Sequence, residues 1–183
     1  MGQHFHIPRV YTIALDPGTH TMGVALFKGY GLEQSFTLKN PYKSPNSDLR
    51  SYNMLHELEE RLAEYVLCPY CKKAHGDLTY EDPQFMKWKG GGKLIEPVIR
   101  MAGMITFWGM AYGLDVYKYK VTDIKKGITG KHSASKEQVE NKMKEVLPME
   151  SFNKTDHEYD AMSVGVYHLD KQAPGCFGYP LPA

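Results

Sequence analysis

Val10-Tyr11-Thr12-Ile13-Ala14-Leu15-Asp16-Pro17-Gly18-Thr19, followed by Met22-Gly23-Val24-Ala25-Leu26-Phe27, sets the architecture of this chain. Residues 10–15 are rich in β-formers and stop at Asp16-Pro17-Gly18, which is turn chemistry; residues 22–27 resume as a strand. The pair predicts an opening hairpin. A turn over residues 28–31 leads to a third strand at 34–38, completing an antiparallel meander. Over 48–66, Leu49, Leu55, Leu58, Leu62, Ala63 and Val66 recur at helical spacing, which predicts an amphipathic helix crossing one face of the sheet. Residues 78–81, lying between two long helical segments, predict a parallel fourth strand reached by that crossover.

After a glycine-rich loop, the apolar, Met-rich segment 93–112 predicts a helix ending at Gly113. Residues 116–121 alternate as a fifth strand. Ser135 with Gln138, and Thr155 with Glu158, have capping-box spacing and open helices running to about 146 and about 168. The order βββαβαβαα predicts an α/β protein: a mixed five-stranded sheet, three antiparallel strands then parallel additions, with helices on both faces. A single domain over 1–183 is expected, with a core of about 10–170. The tail 171–183, with three prolines and two glycines in thirteen residues, is expected to lie extended on the surface.

With 183 residues, 42% hydrophobic and 23% charged, the chain has the material for one sizeable core. No apolar run approaches the roughly 20 residues of a membrane span, and residues 1–9 lack a secretory apolar stretch. A soluble cytoplasmic protein is expected, from a bacterium or from a phage acting inside one. Three cysteines do not make a disulfide framework. The net charge of +1 is distributed unevenly: between Lys118 and Lys144 eight lysines face only Asp123, Glu137 and Glu140. Such a local excess suits phosphate contacts, although a solvated helix face explains the same letters.

Asp16, at a strand end, is placed where a carboxylate can face a ligand, although Asp-Pro-Gly also stands as a plain turn. A phosphate-binding hairpin of the actin and sugar-kinase type starts similarly, but it needs a second lobe for which the chain is too short. Glu81 ends strand four; if that strand neighbours strand one, the two carboxylates sit side by side and repel unless a cation lies between them. His157 and Asp160, three apart, share a helical face that could complete the set. Hard divalent cations take oxygen ligands, and two of them about 4 Å apart can activate water and stabilise a leaving oxygen at a phosphodiester.

The run 13–18, Glu81 after its strand, the segment 130–139 with Ser133-Ala134-Ser135-Lys136, and His157-Glu158-Tyr159-Asp160-Ala161 resemble, in order, the motifs of the RuvC Holliday-junction resolvases, of RNase H-like fold. The resemblance spans roughly residues 11–168. It implies a metal-dependent endonuclease, a homodimer using Mg²⁺ or Mn²⁺ to nick four-way DNA junctions; the residues leave junctions, flaps and replication forks open as the branched substrate. By matching position Asp16, Glu81 and Asp160 are its acidic metal ligands. His157 falls where members carry aspartate or histidine and is a fourth metal-site and catalytic candidate, with neighbouring Asp156 as the alternative. Glu158 fits the N3 place of a cap instead. Asp82 is second choice to Glu81, and Glu96 suits a helix N-terminus.

For DNA contact the resemblance points to Lys125 and Lys136, and the basic stretch adds Lys126 and Lys131. The loop Phe85-Met86-Lys87-Trp88-Lys89 interleaves aromatics with lysines, so Phe85 and Trp88 compete as the residue stacking on an unpaired base. Cys68-Pro69-Tyr70-Cys71 with His75 has zinc-site spacing but needs a fourth ligand, Cys176 or another histidine; small buried thiols at a helix end explain the same letters and are the favoured reading. Three other functions compete: a non-catalytic branched-DNA-binding protein, a ribonuclease H, and a packaging nuclease.

Overall fold

The structure, a computed structural model, describes residues 11–66, 74–83, 96–148 and 154–177. In chain order it contains β1 (Tyr11–Asp16), β2 (Thr21–Lys28), β3 (Gly31–Lys39), α1 (Ser47–Val66), β4 (Gly76–Glu81), α2 (Glu96–Tyr112), β5 (Asp115–Tyr119), α3 (Val121–Thr129), α4 (Lys136–Val146) and α5 (Asp156–Gln172). The sheet order is β3-β2-β1-β4-β5. The first three strands pair antiparallel, and β4 and β5 add in parallel, so the mixed sheet expected from the sequence is present.

Strand alternation divides the core in two. Ile13, Leu15, Leu78 and Tyr80 point to one face, where Met54, Leu58 and Leu62 of α1 and Met101 and Ile105 of α2 cover them. Ala14, Ala25 and Phe27 point to the other, under α3, α4 and α5. Helix α5 lies centrally on that second face because its middle is small: a Cβ added at Gly165 would meet the Phe27 ring at 2.2 Å. Buried His168 fastens α5 laterally, its Nδ1 to the Tyr119 hydroxyl (2.9 Å) and its Nε2 to Asp77 Oδ2 (3.1 Å). Both of its nitrogens are satisfied, as full burial requires.

Both sequence-predicted capping boxes form, at Ser135/Gln138 and Thr155/Glu158. Glu158 also accepts from Ser35 Oγ (2.9 Å) and pairs with Lys154, which accounts for its burial. Glu96 stands in the first turn of α2 and pairs with Arg100, so its placement is structural.

Three elements differ from the sequence reading. Strand β5 stops at Tyr119, and Val121 starts α3, a helix the residue pattern conceals; Ile124 and Ile128 bury one turn apart, and Gly130 closes it at φ 78°. Helix α5 continues past His168 to Gln172. Residues 173–177 then turn back, with Cys176 and Phe177 against the second core cluster, so this part of the tail is not extended. Phe85, Trp88, Cys68 and Cys71 lie outside the described residues. Among the described residues no helix is long and apolar enough to cross a membrane.

Candidate active site

Parallel pairing of β1 with β4 runs to Leu15↔Tyr80, so Asp16 and Glu81 are the next residues of adjacent strands. Leu15 and Tyr80 point into the α1–α2 core, and alternation therefore turns Asp16 and Glu81 to the opposite face, under α5. The strand ends at Glu81, and Asp82 donates its backbone N–H to the Tyr119 carbonyl (2.8 Å).

What brings α5 to these carboxylates is a glycine. Asp16 is paired with Gly23 across the hairpin, and a Cβ at Gly23 would stand 1.9 Å from the His157 carbonyl oxygen. With only hydrogen there, the first turn of α5 rests directly on β2. His157 then donates from Nδ1 to Asp16 Oδ2 (2.6 Å), while its Nε2 meets Thr21 Oγ1 (3.0 Å). Asp160, one turn further along α5, completes the group. Sequence spacing predicts neither the packing role of Gly23 nor the contact of Thr21. A glycine inside a strand run is a signal of close backbone approach, so Gly23 was discoverable; nothing local marks Thr21.

The carboxylates act on one another electrostatically. Glu81 is pushed from its ordinary 4.5 up to about 7, first by burial and then by the charges of Asp16 and Asp160, against the opposing pull of Lys125 and Lys136. Asp160 is also raised, by burial and by Asp16, although Lys136 lies 3.3 Å from its Oδ2. His157 is raised because the hydrogen bond to Asp16 favours its charged form. Mutual repulsion of this kind marks a place where a cation is wanted.

The four site candidates therefore share one locality, and two of the lysine candidates border it. Lys136 bridges Asp160 and the exposed Asp156 (3.6 Å), and Lys125 Nζ donates to the Ala134 carbonyl (2.8 Å). Lys126 and Lys131 are exposed at the end of α3 and just beyond. Asp156 faces outward onto Lys136, whereas His157 faces Asp16. Both ring nitrogens of His157 are engaged; a lone pair for a metal requires one of those bonds to open. Among the described residues no three His, Cys, Asp or Glu groups close into a ready-made metal site, since Asp16 is turned to His157 and Asp160 to Lys136. The donor set nevertheless fits a hard cation: carboxylate oxygens on three elements, with Asp16 raising the hold of Glu81 and Asp160 on their protons. Cys176, the suggested fourth zinc ligand, packs against the α5-side core.

The family model "Crossover junction endodeoxyribonuclease RuvC" matches residues 92–168. A protein of that name from Natranaerobius thermophilus is 36% identical over 159 residues, covering 85% of this chain and 92% of its own. The chain belongs to the RuvC family. The namesake from Herminiimonas arsenicoxydans is 25% identical over 158 residues, covering 85% of this chain and 81% of its own. The solved structure of Thermus thermophilus RuvC superposes at a TM-score of 0.67 with 19% identity, over 94% of this chain and 99% of that one. The same RuvC in complex with Holliday junction substrate gives 0.68 at 16% identity, over 96% and 100%. At such identities the superpositions show a shared fold.

A metal held by Glu81 would bind with a pH-dependent affinity. Its pKa near 7 means that, below neutrality, a metal must displace a proton to use this carboxylate. Affinity for a divalent metal at this carboxylate is expected to rise with pH up to about 7, by as much as about tenfold per unit from this group alone, and then to flatten. Stability of the metal-free protein runs the other way. A carboxyl whose folded pKa exceeds its unfolded value favours the fold below about 4.5 and loses that contribution as pH rises through 7. Thermal shifts with and without metal from pH 5 to 8 check both; a metal-induced shift that does not change with pH contradicts the assignment.

Proposed function

We propose that this protein is a divalent-metal-dependent endonuclease that cuts four-way DNA junctions by paired phosphodiester nicks. The observation that carries the reading is the convergence of Asp16, Glu81 and Asp160 on one face of the sheet, mutually repelling and bordered by Lys125 and Lys136, in a chain of the RuvC family. Asp16, Glu81 and Asp160 would hold Mg²⁺, with Mn²⁺ as a substitute. When bound, such ions supply an activated water and stabilise the leaving oxygen of an in-line displacement.

The chain's own residues have separable tasks. His157, steadied by Thr21, orients the Asp16 carboxylate. Lys136, two-thirds exposed on the open side of the site, offers its ammonium to an incoming phosphate in place of Asp160. Lys125 props the loop at Ala134 while offsetting the charge of Glu81. The test is cleavage of labelled junction, flap, duplex and RNA–DNA hybrid substrates in Mg²⁺ and Mn²⁺. Paired nicks in the junction support the reading; preferential hybrid cleavage makes the protein a ribonuclease, and binding without cutting makes it architectural.

Paired nicks need two sites, and a homodimer supplies them. Phe107 and Met110 on α2 are 76% and 66% exposed, and beside them a groove of about 720 Å³ runs between α1 and α2, lined by Tyr52, Leu55 and Met104 among others. Unpartnered aromatics and methionine rimmed by charge suit a second copy. Phe107→Glu is expected to shift the protein to monomer in light scattering and to uncouple the two nicks; an unchanged dimer places the interface elsewhere.

A further inference from the structure

Lys125 and Lys136 border one side of the site, on α3 and α4. The opposite side, formed by the end of β3 and the loop leading to α1, carries a second set of groups with a different anchorage. Between residues 34 and 47 there are two lysines and no acid. Lys39 is the last residue of β3 and is paired with Thr21, the residue that holds His157. Leu38 points into the α1–α2 core, while Thr37 reaches Thr155 at the start of α5 (2.5 Å). Alternation therefore turns Lys39 to the face that carries the active site. It is exposed, and among the described residues no carboxylate pairs with it or with Lys43.

Asn40 anchors the loop between β3 and α1. Its backbone N–H donates to the His20 carbonyl (2.9 Å), and its amide donates to the carbonyls of Thr19 (3.1 Å) and Arg50 (2.7 Å). Its Oδ1 accepts the N–H of Tyr42 (3.0 Å). One side chain thus ties the turn after Asp16 to the start of α1 and to the loop carrying Tyr42 and Lys43. Pro41 restricts the backbone further. Tyr42 contributes only its backbone to this knot, and its side chain is 60% exposed.

An exposed aromatic held rigidly between two unpaired lysines, beside the carboxylate turn, has the composition of a single-strand contact: cations for phosphates and a ring for a base. We infer that Lys39, Tyr42 and Lys43 form a second DNA-contact edge, which grips the strand entering the site from the side opposite Lys125 and Lys136. The inference rests on the nuclease reading and names which surface binds the strand. Rigidity matters here, because a pre-formed contact loses little entropy on binding.

The experiment is junction binding by fluorescence anisotropy in EDTA across a salt series, for the native protein, Tyr42→Ala, Tyr42→Phe and the Lys39→Ala/Lys43→Ala double variant. Tyr42→Ala is expected to weaken binding at least about fivefold, with Tyr42→Phe close to native. The double variant is expected to make the log Kd against log salt slope shallower by about two. Unchanged melting temperatures confirm that all variants fold, as their exposed side chains imply. If the native protein binds junctions while Tyr42→Ala and the double variant match it in affinity and slope, the inference is overturned and the nuclease reading stands. If the native protein neither binds nor cuts junctions, the functional reading itself has failed.

Discussion

Asp16→Asn is expected to lower junction cleavage by at least about a thousandfold while leaving junction binding within a few-fold of native. The substitution keeps the shape of the side chain and its place at the end of β1, but removes the charge and halves the acceptor oxygens. Asp16 touches or acts on the other three site residues: it accepts from His157, and its charge raises both Glu81 and Asp160. Loss of a metal ligand forfeits several kcal/mol of transition-state stabilisation, and about 4 kcal/mol corresponds to three decades in rate. A second consequence reads the loss of the Asp16 charge directly at its neighbour. With the Asp16 charge gone, Glu81 loses the larger of its two repulsive partners, so its pKa is expected to fall toward the ordinary carboxylate range, readable by NMR titration of the labelled side chain.

Gly23→Ala is expected to damage the site from a residue that bears no functional group. Its Cβ would lie 1.9 Å from the His157 carbonyl oxygen and 2.5 Å from the carbonyl carbon, both backbone atoms that no rotamer change can move. The first turn of α5 must lift, and it carries the Thr155–Glu158 cap, His157 and Asp160. Overpacking of this kind costs about 1–3 kcal/mol, or more against backbone, so a fall in Tm of roughly 5–10 °C is expected. The same shift separates His157 from Asp16 and draws Asp160 from Glu81, so Mn²⁺ affinity is expected to drop by about tenfold or more. Native Mn²⁺ affinity in a destabilised variant would mean that α5 is held by something other than its contact with β2.

Much of this arrangement could be read from the residues because the same feature reports at two levels. The β-formers of residues 10–15 and 22–27, broken by Asp16-Pro17-Gly18, specified strands, and the position of Asp16 and Glu81 at strand ends, one residue past core-facing Leu15 and Tyr80, decides that they face α5. The Ser135 and Thr155 caps were legible because a cap is a local hydrogen-bond pattern with fixed spacing. Helix α3 was not, because Val121, Thr122, Ile124, Ile128 and Thr129 are β-branched and Gly127 sits among them, a composition that favours strand or loop. It is helical because Ile124 and Ile128 find the core beneath α5, a tertiary effect invisible in a window of nine residues. Thr21 escaped for a related reason: its partner His157 is 136 residues away. The sugar-kinase reading of the Asp16-Pro17-Gly18-Thr19 turn falls with the family assignment, which covers most of the chain.

The proposed function stands or falls with Asp16, Glu81 and Asp160 holding a divalent ion together. Anomalous diffraction from crystals of the native protein soaked in Mn²⁺ tests this without reference to activity. The expected result is an anomalous peak in contact with carboxylate oxygens of all three residues, with Lys136 withdrawn from Asp160. A peak on other side chains, or none at Asp16 under conditions where the protein cuts DNA, would contradict it.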